Sequence, residues 1–201
     1  MDSAKEGVAT LLFMDASHFV MGCDFLGHIY GRVRRFVKTY SGRKRYNVLG
    51  ALNFVSKKVT TVTNDSYITA SEICRLLRKV AAEYAGKPIH IILDNARYQK
   101  CSIVADVAEQ LGISLVFIPP YSPNLNLIER LWKHVKLKLR TKYYDDFGVF
   151  QDKIDSIVSN TDKHDIATVN RLIGEKVQLF DFPCVYDNYS TCSSTADSKA
   201  A

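Results

Sequence analysis

Three acidic residues draw attention by where they fall. Asp15 follows the apolar run Leu11-Leu-Phe-Met14, and Asp94 follows Ile91-Ile-Leu93, so each is expected to close a β-strand. Glu129 falls in the first turn of a helix expected over 127–140, just after the turn-rich segment 119–126. Carboxylates at the carboxyl ends of neighbouring strands project from one edge of a sheet, where α/β proteins place their functional groups. Without a Cys or His at ligand spacing, such a trio makes an oxygen-rich site suited to Mg²⁺ or Mn²⁺. Two such ions, about 3.5–4 Å apart, activate a water or hydroxyl and stabilise the leaving oxygen of a phosphodiester. Three carboxylates this close repel one another, so without cations they are expected to bind protons or spread apart. Each acid also has a purely structural use: Asp15 in a turn, Asp94-Asn95 as a helix cap, and Glu129 in a capping box with Asn126.

The elements that would position these acids can be read from periodicity. Strand patterns cover 8–14, then 19–33 as strand and turn punctuated by Gly22, Gly27 and Gly31, then 46–55 as a third strand, with room for a short further one over 59–63. The period then changes to helical. Thr69-Ala-Ser-Glu72 is a capping box, followed by Ile73, Leu76, Leu77 and Val80 on one face. A short apolar strand over 89–93, a helix over 97–111 stopped at Gly112, and a strand over 113–118 come next. The helix over 127–140 carries Ile128, Leu131, Trp132, Val135 and Leu139 on its apolar side, which places Trp132 in the core. Weaker helical patterns cover 147–159 and 165–173. Three antiparallel-type strands followed by alternating helices and strands predict an α/β fold: a mixed sheet with helices on both faces. The expected organisation is one domain over 1–182 and a Ser/Thr-rich, disordered tail over 183–201.

Charge narrows the class of partner. Residues 1–144 hold 22 basic and 11 acidic groups (net +11), and residues 145–201 hold 5 and 10 (net −5). Two stretches, 28–45 and 130–142, contain no acid and carry 13 of the 27 basic residues, a pattern that favours a polyanion. The basic residues expected to meet DNA are Arg32, Arg34, Arg35, Arg43, Lys44 and Arg45 in the first stretch, and Arg130, Lys133 and Lys136 in the second. No run reads as a membrane span or a secretory signal, and five widely spaced cysteines argue against a disulfide framework. A reduced, cytoplasmic, nucleoid-associated protein is the expected setting. The five histidines form no ligand spacing and are read as ordinary surface or core residues. Tyr98 and Gln99, one expected helical turn beyond Asp94, are candidates to line the site.

Two blocks carry a family resemblance. Asp94-Asn-Ala-Arg-Tyr-Gln99 and Pro120-Tyr-Ser-Pro-Asn-Leu-Asn-Leu-Ile-Glu129-Arg-Leu-Trp132 resemble the mariner-type superfamily of DDE transposases, in its bacterial insertion-sequence branch. Phe13-Met-Asp15 looks like that family's first catalytic strand, and Ser41-Gly-Arg-Lys-Arg-Tyr-Asn-Val-Leu-Gly50 resembles the segment after it. The 34 residues between Asp94 and Glu129 match the spacing of the branch with a final glutamate. The resemblance spans residues 8–182 and implies a ribonuclease-H-like DDE catalytic domain. It further implies two Mg²⁺ or Mn²⁺ ions on Asp15, Asp94 and Glu129, and cut-and-paste DNA cleavage and strand transfer. The implied partners are double-stranded DNA, as terminal inverted repeats and target, and a second copy of the chain when assembled on DNA.

The sequence also departs from the family. Ala16 stands where many relatives carry Glu, a residue outside the catalytic trio. Relatives carry a helix-turn-helix region before the first catalytic strand, so such a region is expected in cis or as a separate chain. The chain reads as the second half of a split frame, a trimmed chain or a decayed element. Two other readings stay open at this level: a ribonuclease-H-like nuclease or resolvase that does not join strands, and a non-catalytic DNA-binding remnant.

Overall fold

A computed structural model of the 201-residue chain describes residues 2–21, 43–119, 125–139 and 144–159. Arg32, Arg34 and Arg35, the helix expected over 165–173 and the C-terminal tail lie outside the described residues. The elements in order are α1 (Asp2–Lys5), β1 (Thr10–Val20), β2 (Arg45–Asn53), β3 (Val59–Asn64), α2 (Ala70–Glu83), β4 (Ile89–Leu93), α3 (Ser102–Gln110), β5 (Ile113–Phe117), α4 (Leu127–Leu139) and α5 (Phe147–Ser159).

The strands form one five-stranded sheet in the order β3-β2-β1-β4-β5. β1, β2 and β3 pair antiparallel, whereas β4 pairs parallel with both β1 and β5, the antiparallel-then-parallel order that the sequence predicts. The expected strand and turn over 19–33 lies outside the described residues beyond Met21, and β3 is the short strand of 59–63. Side-chain alternation on β1 and β2 builds two cores, one on each face of the sheet. Phe13, Phe19, Val48 and Leu52 pack under α4 and α5 with Leu127, Ile128, Leu131, Trp132 and Ile154. Leu12, Met14, Leu49 and Ala51 pack under α2 and α3 with Ile73, Leu77, Ile91 and Val104. Among the described residues, no helix is long and apolar enough to cross a membrane.

Two local expectations are met closely. Thr69 caps α2, its hydroxyl accepting from Ser71 N, while the Glu72 carboxylate accepts from Thr69 N at 2.9 Å. Trp132 is 4% exposed and belongs to the core.

Three others need correction. β1 continues through Asp15 to Val20, because residues 15–20 keep pairing with β2 down to Val20 opposite Arg45. Residues 97–100 form a turn, and α3 begins only at Ser102. There Asp94 Oδ1 accepts from Ala96 N at 3.1 Å and Asn95 Nδ2 donates to Ile118 O. Asp94 thus satisfies a local backbone amide in a turn, which competes with helix, while Asn95 ties the turn to the end of β5. The capping box proposed for Asn126 and Glu129 is not formed: the Asn126 amide reaches across to β1, and only its backbone carbonyl accepts from Glu129 N.

Candidate active site

β1 and β4 bring two of the acids side by side. Their parallel pairing ends at Phe13 opposite Ile92, and continuing that register by two residues sets Asp15 beside Asp94. Alternation from Phe13 and Phe19 puts Asp15 and Ser17 on the α4 side of the sheet. On its other flank Asp15 sits opposite Gly50 of β2.

Glu129 arrives from the first turn of α4. Asn126, fully buried, donates from Nδ2 to Met14 O at 3.0 Å, which ties the helix start to the residue before Asp15. Leu127, Ile128, Leu131, Trp132 and Val135 form the buried stripe of α4, turning Glu129, Lys133 and Lys136 toward a cleft of about 490 Å³. Asp15, Ser17 and His18 form its β1 wall. Asp94 does not line that cleft, since its carboxylate is engaged with the Ala96 amide at the adjoining strand end. Among the described residues, no three His, Cys, Asp or Glu side chains are gathered into a ready metal cluster.

The three acids nonetheless share one electrostatic environment. Burial pushes the Asp15 carboxyl up from 3.8 to about 7; the Ala16 amide opposes the rise, Asp94 and Glu129 add to it, and Lys136 opposes it. Glu129 is also raised, first by burial and then by Asp94. The Tyr98 hydroxyl is pushed up to about 12 by burial and by the negative charge of Asp94 and Asp15. Tyr98 therefore stands near the acids, as the sequence suggests, although it does so from a turn. Gln99 is buried, and neither of its amide atoms finds a partner among the described residues.

His18 borders the cleft through its place in β1, but alternation turns its exposed imidazole to the opposite face of the sheet, toward Asn47, in keeping with an ordinary surface histidine. Buried Asn47 donates from Nδ2 to Asn64 Oδ1 and Ser66 O, both at 2.8 Å, so its Oδ1 faces the imidazole and meets Nδ1 at 2.6 Å. That geometry calls for a proton on Nδ1, which donates to the Asn47 oxygen.

Of the basic residues, Lys133 and Lys136 stand on the cleft, and Arg130 is half-buried in the same helix. Arg43, Lys44 and Arg45 are exposed where the chain enters β2, beside the far end of β1. Lys44 Nζ lies 5.5 Å from the centre of the Phe147 ring.

A mixed sheet of this order, covered by helices on both faces, is the ribonuclease-H-like fold of transposase catalytic cores. The sequence matches the DDE superfamily endonuclease family over residues 10–151, and the chain belongs to that family. It is 31% identical over 114 residues to an insertion element IS630 uncharacterized 39 kDa protein of Shigella sonnei. That match takes in 56% of this chain and 32% of the relative, so the chain spans about a third of the relative's length. The catalytic domain of Mos1 mariner transposase superposes with a TM-score of 0.61 at 14% identity, covering 85% of this chain and 78% of that one. The Mos1 mariner paired end complex with Mn gives 0.60 at 16%, covering 86% and 54%.

Proposed function

We propose that this chain is the catalytic domain of an insertion-sequence transposase, cutting DNA strands and joining the freed ends to a target. The observation that carries the reading is Asp15 and Glu129 facing one cleft, with Asp94 on the adjoining strand end. All three donors are carboxylate oxygens, the donor chemistry that Mg²⁺ and Mn²⁺ prefer. The raised Asp15 carboxyl marks a place where a cation would relieve like-charge repulsion. Asp15, Asp94 and Glu129 therefore fit two divalent ions, and Asp94 would exchange its Ala96 contact for one. Bound there, the ions supply Lewis-acid activation of a water or 3′-hydroxyl and neutralise charge on the leaving oxygen.

The chain's own residues bind and orient. Lys133 and Lys136 on the cleft wall would hold a DNA strand by its phosphates, with Arg43, Lys44, Arg45 and Arg130 extending the contact. Arg32, Arg34 and Arg35 belong to the same basic stretch of sequence. Terminal-repeat recognition would come from a helix-turn-helix region in cis or on a separate chain, and synapsis of two ends from a second copy of the chain.

The test is a nicking and strand-transfer assay on supercoiled DNA carrying terminal repeats, with Mg²⁺ or Mn²⁺. Both activities should disappear in Asp15→Asn, Asp94→Asn and Glu129→Gln. Nicking without joining would instead identify a nuclease or resolvase. Mn²⁺ affinity unchanged in all three variants would remove the site as drawn.

A further inference from the structure

The two cross-strand neighbours Asp15 and Gly50 differ in what they present to α4. Asp15 presents a carboxylate to the cleft, whereas Gly50 presents nothing, and Trp132 fills the space. A Cβ at residue 50 would lie 2.9 Å from both Cζ2 and Cη2 of Trp132 and 3.2 Å from Ile128 Cδ1. Both α4 side chains are in the core: Trp132 meets Phe19 edge-on at 6.2 Å, and Ile128 is fully buried. The Trp132 Nε1 finds no hydrogen-bond partner among the described residues, so shape, not a polar anchor, fixes the ring. Trp132 and Glu129 are three residues apart on one helix, so a shift of α4 that reseats the ring carries the carboxylate with it.

We propose that Gly50 is a positioning residue: by omitting a side chain opposite Asp15, it lets Trp132 seat α4 close to the sheet and so sets the distance between Glu129 and Asp15. The β2 strand thus contributes to the carboxylate site without supplying a ligand. This inference rests on the metal-binding reading above, and the experiment separates the two.

Trp132 is the sole tryptophan in the chain, so tryptophan emission reports on the surroundings of this one ring. In the full chain without metal, Gly50→Ala should shift that emission to longer wavelength as the ring is pushed outward. With Mn²⁺ as the probe, followed by electron paramagnetic resonance, Gly50→Ala should weaken binding by about 10- to 100-fold, the usual consequence of disturbing a ligand's support. Trp132→Phe removes the two crowding carbons. Gly50→Ala/Trp132→Phe should therefore bind Mn²⁺ nearly as well as Trp132→Phe alone. If Gly50→Ala does not fold, the double variant decides: a folded chain with recovered Mn²⁺ affinity supports the proposal, and one still unfolded overturns it. Unchanged emission in Gly50→Ala, unchanged Mn²⁺ affinity, or a loss that Trp132→Phe does not relieve would also overturn it. If the wild-type chain binds no Mn²⁺, the metal reading fails, and the metal-free emission comparison still decides whether Gly50 seats the helix.

Discussion

Asn126 Nδ2 donates to Met14 O across 3.0 Å, joining residues 112 positions apart at the point where the strand bearing Asp15 meets the helix bearing Glu129. The bond is buried, and Asn126 Oδ1 has no partner among the described residues. The amide's strong interaction is therefore the one that links the two acid-bearing elements.

Truncating Asn126 should be costly for its size. Asn126→Ala removes a buried bond and leaves a carbonyl short of a donor, which costs about 1–3 kcal/mol. Asn126→Asp cannot donate when ionised and adds a fourth carboxylate, so its penalty should grow between pH 4 and pH 8. Urea unfolding at both pH values measures this. Wild-type stability in Asn126→Ala would show that the link is incidental.

Much of this arrangement was legible in the sequence, and the exceptions share a cause. α2 could be placed from Thr69, Glu72 and its apolar stripe because cap and face are local signals. The antiparallel-then-parallel sheet followed from the order of strand and helix periods. What stayed hidden depends on residues distant in sequence. Asp15 looked like a strand end, because its pairing with Gly50 is decided by a partner 35 positions away. Asn126 looked like a helix cap, because nothing local reveals that its amide reaches Met14. Asn95 looked like a cap too, whereas it anchors the chain after β4 to Ile118. The His18–Asn47 contact was hidden for the same reason, since Asn47 lies 29 positions away and is itself held by Asn64 and Ser66.

The raised Asp15 carboxyl makes stability depend on pH in a defined direction. In the folded chain Asp15 keeps its proton up to about pH 7, whereas the unfolded chain loses it near 3.8. Its contribution is therefore most favourable below about pH 4 and declines as pH rises toward 7. Asp15→Asn should match wild type near pH 3.5 and exceed it at pH 8, in metal-free buffer, by at most on the order of 4 kcal/mol. Thermal unfolding across this range decides it. Adding Mg²⁺ should narrow the gap, since only wild type gains from the ion. A gap that widens toward low pH would contradict the assignment.

Adjacent residues at the end of β4 should separate packing from chemistry. Leu93 is fully buried in a strand paired on both sides, so Leu93→Ala should cost about 2–5 kcal/mol. Asp94→Ala loses its bond to Ala96 N but also relieves repulsion with Asp15 and Glu129. Its net effect should stay within about 1 kcal/mol. Denaturant midpoints for the two variants test this, and unfolding of Asp94→Ala would make the acid structural.

The basic residues divide into two groups that a salt titration can count. Lys133 and Lys136 stand on the cleft, and Arg43, Lys44 and Arg45 lie at the entry to β2. If each meets a phosphate, Lys133→Glu/Lys136→Glu should flatten the slope of log affinity against log salt by about 1.8, and the Arg43/Lys44/Arg45 triple reversal by about 2.7. Both should weaken binding to repeat and scrambled DNA alike, because phosphate contacts carry no sequence information. Lys87→Glu is the control: it is exposed just before β4, at the strand end opposite Asp94, and should leave the slope nearly unchanged. With DNA held through its phosphates, the chain alone should show little preference for terminal repeats. Competition binding checks both points, and a strong terminal-repeat preference that survives the triple reversal would show that this chain reads bases directly.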